Sequence, residues 1–302
     1  MPAAYENAAL QALSWLRYIG NSLKAPMHPH SRRHVATLAL AFTLGALIGT
    51  LAHAQPSPAA TPKVIDIPTR PSVAQRFLYI APANPKGSIV LMAGGHGGLQ
   101  IFPGGSLGWG NGNFLVRTRQ LFADAGFAVA VIDAPSDRQS APFLSGFRQT
   151  PEHAADVKAV IAWLKQQAPG PVWLVGTSRG TQSAGYIATE LSPAQGGPDG
   201  VVLTSSIMTD NNGRAVPRMP LELITVPVLV AHHEQDGCRL CAFSYMPQLM
   251  SKLTKTPKAE LISFTGGQSV GDPCEAMAHH GFNGLESEVV SKITSWMLAA
   301  KP

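Results

Sequence analysis

Gly176-Thr177-Ser178-Arg179-Gly180 carries the strongest chemical signal in the sequence. An apolar run, Val172 to Val175, leads into it and a helix-period segment leads out, so Ser178 falls where a strand turns into a helix. A turn this sharp forces the Ser into a strained conformation with its hydroxyl exposed, and small residues on both sides let the turn close. Such a hydroxyl is a nucleophile once a base takes its proton and a carboxylate orients that base. The bland alternative is a Gly-Ser turn without chemistry, against which motif and context agree. The chain offers His279 and His280 as bases, and Asp210, Glu234, Asp236 and Asp272 as acids. Geometry and not residue type defines a triad, so composition alone leaves this choice open.

A carbonyl under attack develops a negative oxygen that needs backbone N–H donors. One comes from the residue after the nucleophile, Arg179. The other is expected from Gly94-Gly95-His96-Gly97-Gly98, whose permissive backbone can approach a ligand closely. These glycines do not make a nucleotide site, because Gln100 takes the third position of Gly95-x-Gly97-x-x-Gly and no Gly-Lys-Ser/Thr follows. No cofactor is therefore expected.

The elements that must position these residues are legible as alternating strand and helix patterns. Strands are expected at Arg76 to Ile80, Ser88 to Ala93, Ala128 to Asp133, Val172 to Gly176, Val201 to Ser206, Val226 to His232 and Glu260 to Phe264. Most lack alternation, as strands buried on both faces do. Helices are expected at Phe114 to Ala125, Pro151 to Gln167, Thr181 to Leu191, Leu240 to Leu253 and Leu285 to Ala300. Thr150 is placed as N-cap and Pro151 as first helical residue of the second of these. The pattern predicts an α/β fold, a mostly parallel central sheet flanked by helices.

Over about residues 73 to 300 the chain resembles an α/β-hydrolase, with Ser, acid and His in that family's order. The resemblance implies an acid on the loop ending the second strand after the elbow, which selects Asp236 over Asp210, Glu234 and Asp272. It implies a base after the last strand. His280-Gly281-Phe282 is similar to the His segment of dienelactone-hydrolase-like and oligopeptidase-like members, which selects His280 over His279. His232 and His233 are expected to be local structure or pocket lining. Aligning on the strand end gives the second oxyanion donor as the N–H of Gly95 or His96; a lipase-type reading gives Gly97 and Gly98, with Leu99 departing from that motif. About 20 residues separate Ser206 from Val226, which leaves no room for a large lid domain and implies an open site. The Gly-rich stretch from Leu99 to Asn113, with Phe102, Pro103 and Trp109, is either a loop over the site or a flexible surface excursion.

The implied activity is hydrolysis of an ester-like bond in a small molecule through an acyl-enzyme. Alternatives are an acyltransferase, a lactone or C–C bond hydrolase, although dienelactone hydrolases typically carry Cys where this chain has Ser178, and a non-catalytic binding protein on the same scaffold.

Cys238, Cys241 and Cys274 lie close in sequence to the acid loop and the His loop. In an oxidising compartment Cys274 paired with Cys238 or Cys241 ties those loops together; Cys238 with Cys274 is favoured, and an odd count leaves one thiol over. Three Cys with His279 as a zinc site is the rival, and unpaired buried thiols the simplest case.

Composition agrees with export of one large domain. The chain has 302 residues, 45% hydrophobic and 14% charged, which excludes wholesale disorder. The net charge of +5 divides unevenly: residues 1–54 hold four basic residues and one acidic, the remainder 19 and 17. No basic run interleaved with aromatics appears in the remainder, so nucleic acid is not an expected partner. Arg32 and Arg33 precede the apolar stretch Val35 to Ala52, and Ala52-His53-Ala54 resembles a cleavage site before Gln55. Residues 1–54 thus form a signal peptide or, uncleaved, a membrane anchor over 35–52, placing the protein in the periplasm, outside the cell or on the membrane. Residues 55–72, rich in Pro, Ala, Ser and Thr, are expected to be linker, with the domain spanning 73–302.

Overall fold

Fully apolar runs become the inner strands of an eight-stranded sheet in the computed structural model, which describes residues 61–210 and 214–300. The segment 1–54 and the start of the linker lie outside the described residues. The strands are β1 (Lys63–Arg70), β2 (Val73–Ile80), β3 (Ser88–Met92), β4 (Ala128–Ile132), β5 (Val172–Thr177), β6 (Gly200–Thr204), β7 (Val228–His233) and β8 (Ala259–Phe264). Their order is β1-β2-β4-β3-β5-β6-β7-β8. β1 and β2 are antiparallel to their neighbours, and every pairing from β4 to β8 is parallel. β3 to β7 are buried along their whole length, which is why they read as continuous apolar runs.

Helices α1 (Phe114–Arg117), α2 (Arg119–Asp124), α3 (Pro151–Gln167), α4 (Gly180–Glu190), α5 (Met246–Met250) and α6 (Glu286–Ala299) cover the two faces. Val90 and Met92 of β3 join Val157 and Ile161 of α3 and Ile187 of α4 in one core. The alternate residues Ile89 and Leu91 join Phe122 of α2 and Ile293 of α6 in the other. Parallel pairing brings the carboxyl ends of β3 to β8 to one edge of the sheet, where ligands of such folds bind. Between β6 and β7 the described residues form only the short 3₁₀ turns Val216–Arg218 and Leu221–Leu223, with no lid domain.

Three expectations need correction. The linker does not run to residue 72 and the domain does not begin at 73: Lys63–Arg70 is strand β1, and its Ile67 is buried. Pro68 is compatible with a strand because β1 lies at the sheet edge, and the register shifts between Pro68 and Arg70. The expected helix Leu240 to Leu253 shrinks to a 3₁₀ turn, Phe243–Tyr245, and α5. Pro247 supplies no N–H and sits in the first turn of α5, while Cys241 N–H donates to Cys238 C=O in a tight turn instead. The expected helix Phe114 to Ala125 is divided at Thr118, whose hydroxyl donates to the Phe114 carbonyl at 2.7 Å. No helix among the described residues is long and apolar enough to cross a membrane.

Candidate active site

Ser178 follows β5 directly and α4 begins two residues later, so one residue pair makes the whole reversal. Its φ is 51°, in the left-handed region that costs a non-glycine residue free energy. The turn is held by Ser178 N–H donating to Thr204 C=O at 3.0 Å and by Thr181 N–H and Oγ1–H donating to Ser178 C=O at 2.9 and 2.6 Å. A Cβ on Gly176 would stand 2.4 Å from the Gly180 carbonyl oxygen, and one on Gly180 would stand 2.1 Å from the Met92 carbonyl oxygen. The two small residues of the motif are therefore steric requirements of the turn and of α4 packing on β3.

Asp236 lies three residues past β7, on a loop, and His280 lies in the 3₁₀ turn His279–Gly281 before α6. His280 Nδ1–H donates to Asp236 Oδ2 at 2.8 Å, both groups being buried. A carboxylate can only accept here, so Nδ1 carries a proton, and in the neutral ring the lone pair is on Nε2. Asp236 Oδ1 accepts from the Cys238 N–H at 2.9 Å. The His280 segment is fixed through its backbone: Ser205 Oγ–H donates to His280 C=O at 2.7 Å and Arg117 Nη2 to Gly281 C=O at 2.6 Å. Ser178, Arg179, Gly94, Gly95 and His280 line one cavity of about 700 Å³, with Trp109, Ile207, Leu240 and the charged Arg239, Asp272 and Glu275 around it.

The other candidate acids are engaged elsewhere. Asp210 meets the Arg179 guanidinium at 3.4 Å and the Gln182 amide at 3.1 Å; Glu234 accepts from Ser263 Oγ; Asp272 accepts from the Cys274 N–H. His279 stacks on His233 with ring centroids 4.3 Å apart and meets the Gln235 carbonyl, away from Asp236. His232 and His233 serve the local structure: His232 Nε2–H donates to Cys241 C=O at 2.6 Å, and His233 bonds to Gly266 C=O and to the Gln235 N–H. Burial pushes His232 down to about 4, so it is neutral at pH 7.

Gly95 lines the cavity, whereas the His96 ring packs between Trp109 and Phe143, and its Nδ1 accepts from the Gly98 N–H at 3.1 Å. Gly97 and Gly98 also lie outside the cavity lining. The stretch after Leu99 is an ordered excursion: Ile101 bridges Leu107, and Trp109 N–H donates to Leu99 C=O. Trp109 reaches the cavity, and Phe102 is 54% exposed.

A disulfide joins Cys238 to Cys274 and therefore the acid loop to the loop before His280. Joined sulfurs offer no thiolate, so three Cys and His279 do not assemble as a zinc set. Cys241 is free and buried, and burial pushes its thiol up, which makes it unreactive.

Two buried charges that hold the Ala93–Ile101 loop escaped the sequence reading. Asp133, just past β4, accepts from the N–H groups of Leu99, Gln100, Ile101 and Ala134 at 2.6 to 3.1 Å. Its position at a strand end was the available signal. Arg148, in the segment before α3, is buried and donates to the carbonyls of Ala93, Gly94 and Gly95 and to Ser183 Oγ. Nothing in the local sequence marks it. Burial, with Arg179 nearby, pushes its guanidinium down to about 9, still charged at neutral pH.

No family model and no curated protein matches the chain by sequence. Its structure is similar to an esterase from Pyrococcus furiosus, with TM-score 0.59 and 14% identity over 80% of this chain and 92% of that one. It is similar to a dienelactone hydrolase from Anabaena variabilis, with TM-score 0.52 and 16% identity over 80% and 97%. An acylaminoacyl peptidase from Pyrococcus horikoshii gives TM-score 0.55 and 15% identity over 79% of this chain and 41% of that one. At these identities the likeness establishes the fold, which is that of the α/β-hydrolases.

Proposed function

We propose that this chain is an exported serine hydrolase that cleaves an ester-like acyl bond in a small molecule. The observation that carries the proposal is the buried Asp236–His280 hydrogen bond of 2.8 Å on the wall of the cavity that Ser178 also lines. With its Nδ1 proton committed to Asp236, His280 has only Nε2 available to receive the Ser178 proton. Ser178 Oγ attacks the carbonyl carbon, and the amides of Arg179 and Gly95 donate to the oxyanion. The bond to the alcohol oxygen then breaks, His280 protonates the leaving group, and water repeats the cycle to release the acid. The strained Ser178 backbone and the absence of a lid domain among the described residues suit a nucleophile presented to substrates arriving from solution. The esterase and dienelactone hydrolase among the similar folds favour ester over peptide substrates, by analogy of fold. Export rests on the signal-like segment 1–54 and accords with the Cys238–Cys274 disulfide, a bond that persists in oxidising compartments.

The test is labelling of the purified protein with a fluorophosphonate probe, alongside hydrolysis of p-nitrophenyl esters. Labelling and hydrolysis are expected in the wild type and absent in Ser178→Ala and His280→Ala. A wild type that neither labels nor hydrolyses sinks the reading; labelling that survives Ser178→Ala moves the nucleophile elsewhere.

A further inference from the structure

Arg148 is a buried cation that makes no ion pair among the described residues. Burying a charge is costly unless other groups replace its hydration. Here Nη2 lies 3.0, 3.4 and 3.2 Å from the carbonyl oxygens of Ala93, Gly94 and Gly95, and Nη1 lies 3.0 Å from Ser183 Oγ. Three consecutive carbonyls therefore turn to one side. The peptide bonds here are trans, since the cis bond described is Ala141–Pro142, and in a trans peptide the N–H points opposite to the C=O. The N–H groups of Gly94, Gly95 and His96 consequently point away from Arg148. Gly94 and Gly95 line the cavity beside Ser178, and Arg148 stands behind them, outside its lining. Gly95 at φ 55° permits the curl that brings the carbonyls together. A Cβ on Gly97 would stand 2.4 Å from Arg148 Nη2, so a glycine there makes room for the guanidinium.

We infer that Arg148 is the positioning residue of the oxyanion site, aiming the Gly95 amide at the reacting oxygen by fixing the peptide planes of residues 93 to 96. It touches neither substrate nor Ser178. A carbonyl bonded to a cation also polarises its own peptide, strengthening the N–H on the far side as a donor. This inference rests on the proposed acyl-transfer reading and deepens it. It predicts an effect on the tetrahedral state and little on substrate binding.

The experiment measures kcat and KM for a p-nitrophenyl ester, and the affinity of a phenylboronic acid that forms a tetrahedral adduct on Ser178, in wild type, Arg148→Lys and Arg148→Met. Loss of an oxyanion donor costs about 100-fold or more in kcat, so Arg148→Met is expected to fall by about that factor. Arg148→Lys, with one nitrogen to serve four acceptors, should fall about 10-fold. KM should stay within about twofold, and boronate affinity should drop in step with kcat. A folded Arg148→Met with kcat within threefold of wild type overturns the inference, as does a kcat loss with unchanged boronate affinity. If the Arg148 variants do not fold, Ser183→Ala decides: it leaves the charge and removes one anchor, and kcat and boronate affinity fall together about threefold or the inference is lost. Fluorophosphonate labelling of the wild type separates the two claims, because it persists when only the role of Arg148 is wrong.

Discussion

The two halves of the proposed site are held in different ways. The donor loop, Ala93 to Ile101, is clamped by buried opposite charges that bind backbone: Arg148 takes its carbonyls and Asp133 its amides. The acid and base loops share some of that backbone clamping, at the His280 and Gly281 carbonyls, but are joined to each other by the Cys238–Cys274 disulfide and the Asp236–His280 side-chain pair. Backbone clamping sets the direction of peptide dipoles, which is what an oxyanion site needs. A covalent tie sets the distance between two segments, which is what a proton-transfer pair needs. The donor half is thus exposed to changes in buried charge, and the acid–base half to reductants.

The comparison breaks most sharply at Asp236. Asp236→Asn removes the charge that orients His280, and kcat is expected to fall about 1,000-fold with the fold intact, measured by ester hydrolysis and circular dichroism. Retained activity would mean that the acid lies elsewhere. Replacing Cys238 and Cys274 by Ser opens a link across 36 residues and should cost about 4 kcal/mol in urea unfolding. Hydrogen exchange of Leu99 and Ile101 amides should not change in that variant. If it does, the two halves are mechanically one.

Acid sharpens the comparison through two neutral histidines, one beside each half. Burial pushes His153, near Arg148, down to about 3 and His232, near Asp236, down to about 4 from an ordinary value of 6.5. Below 6.5 the unfolded chain binds protons that the folded chain refuses, so stability falls as pH falls through the window from 6.5 towards 4. At pH 5 each histidine should contribute roughly 2 kcal/mol of this loss. The stability difference between pH 7 and 5 in His153→Phe should be smaller than the wild type's by roughly 2 kcal/mol; an unchanged difference would clear His153 of the effect. The smallest effect concerns Cys241: with its thiol buried and its pKa raised, the native protein should resist iodoacetamide for hours and react only when unfolded. Rapid native alkylation would show that the acid loop opens.

How much of this was legible in the sequence follows from where each signal resides. Ser178 is announced by the small residues that its turn requires, and Asp236 and His280 by their places after strand ends in a familiar order. Arg148 is silent because its partners are mostly backbone groups, which every residue possesses, and Asp133 offers only its place at a strand end. β1 was hidden by the Pro- and Ala-rich composition before it, although Val64-Ile65-Asp66-Ile67 has strand character. The helix expected from Leu240 failed because a helix-period apolar pattern says nothing of the Cys238 tether or of Pro247.

Strand β1 also governs how the chain fares among its own copies. An open sheet edge offers free N–H and C=O groups on which another chain can polymerise. At this edge Pro68 removes a donor, the register slip beside it bends the strand, and Asp66 and Arg70 are committed to ion pairs with Arg76, Asp137 and Asp156. The rim is thereby a poor template for intermolecular growth.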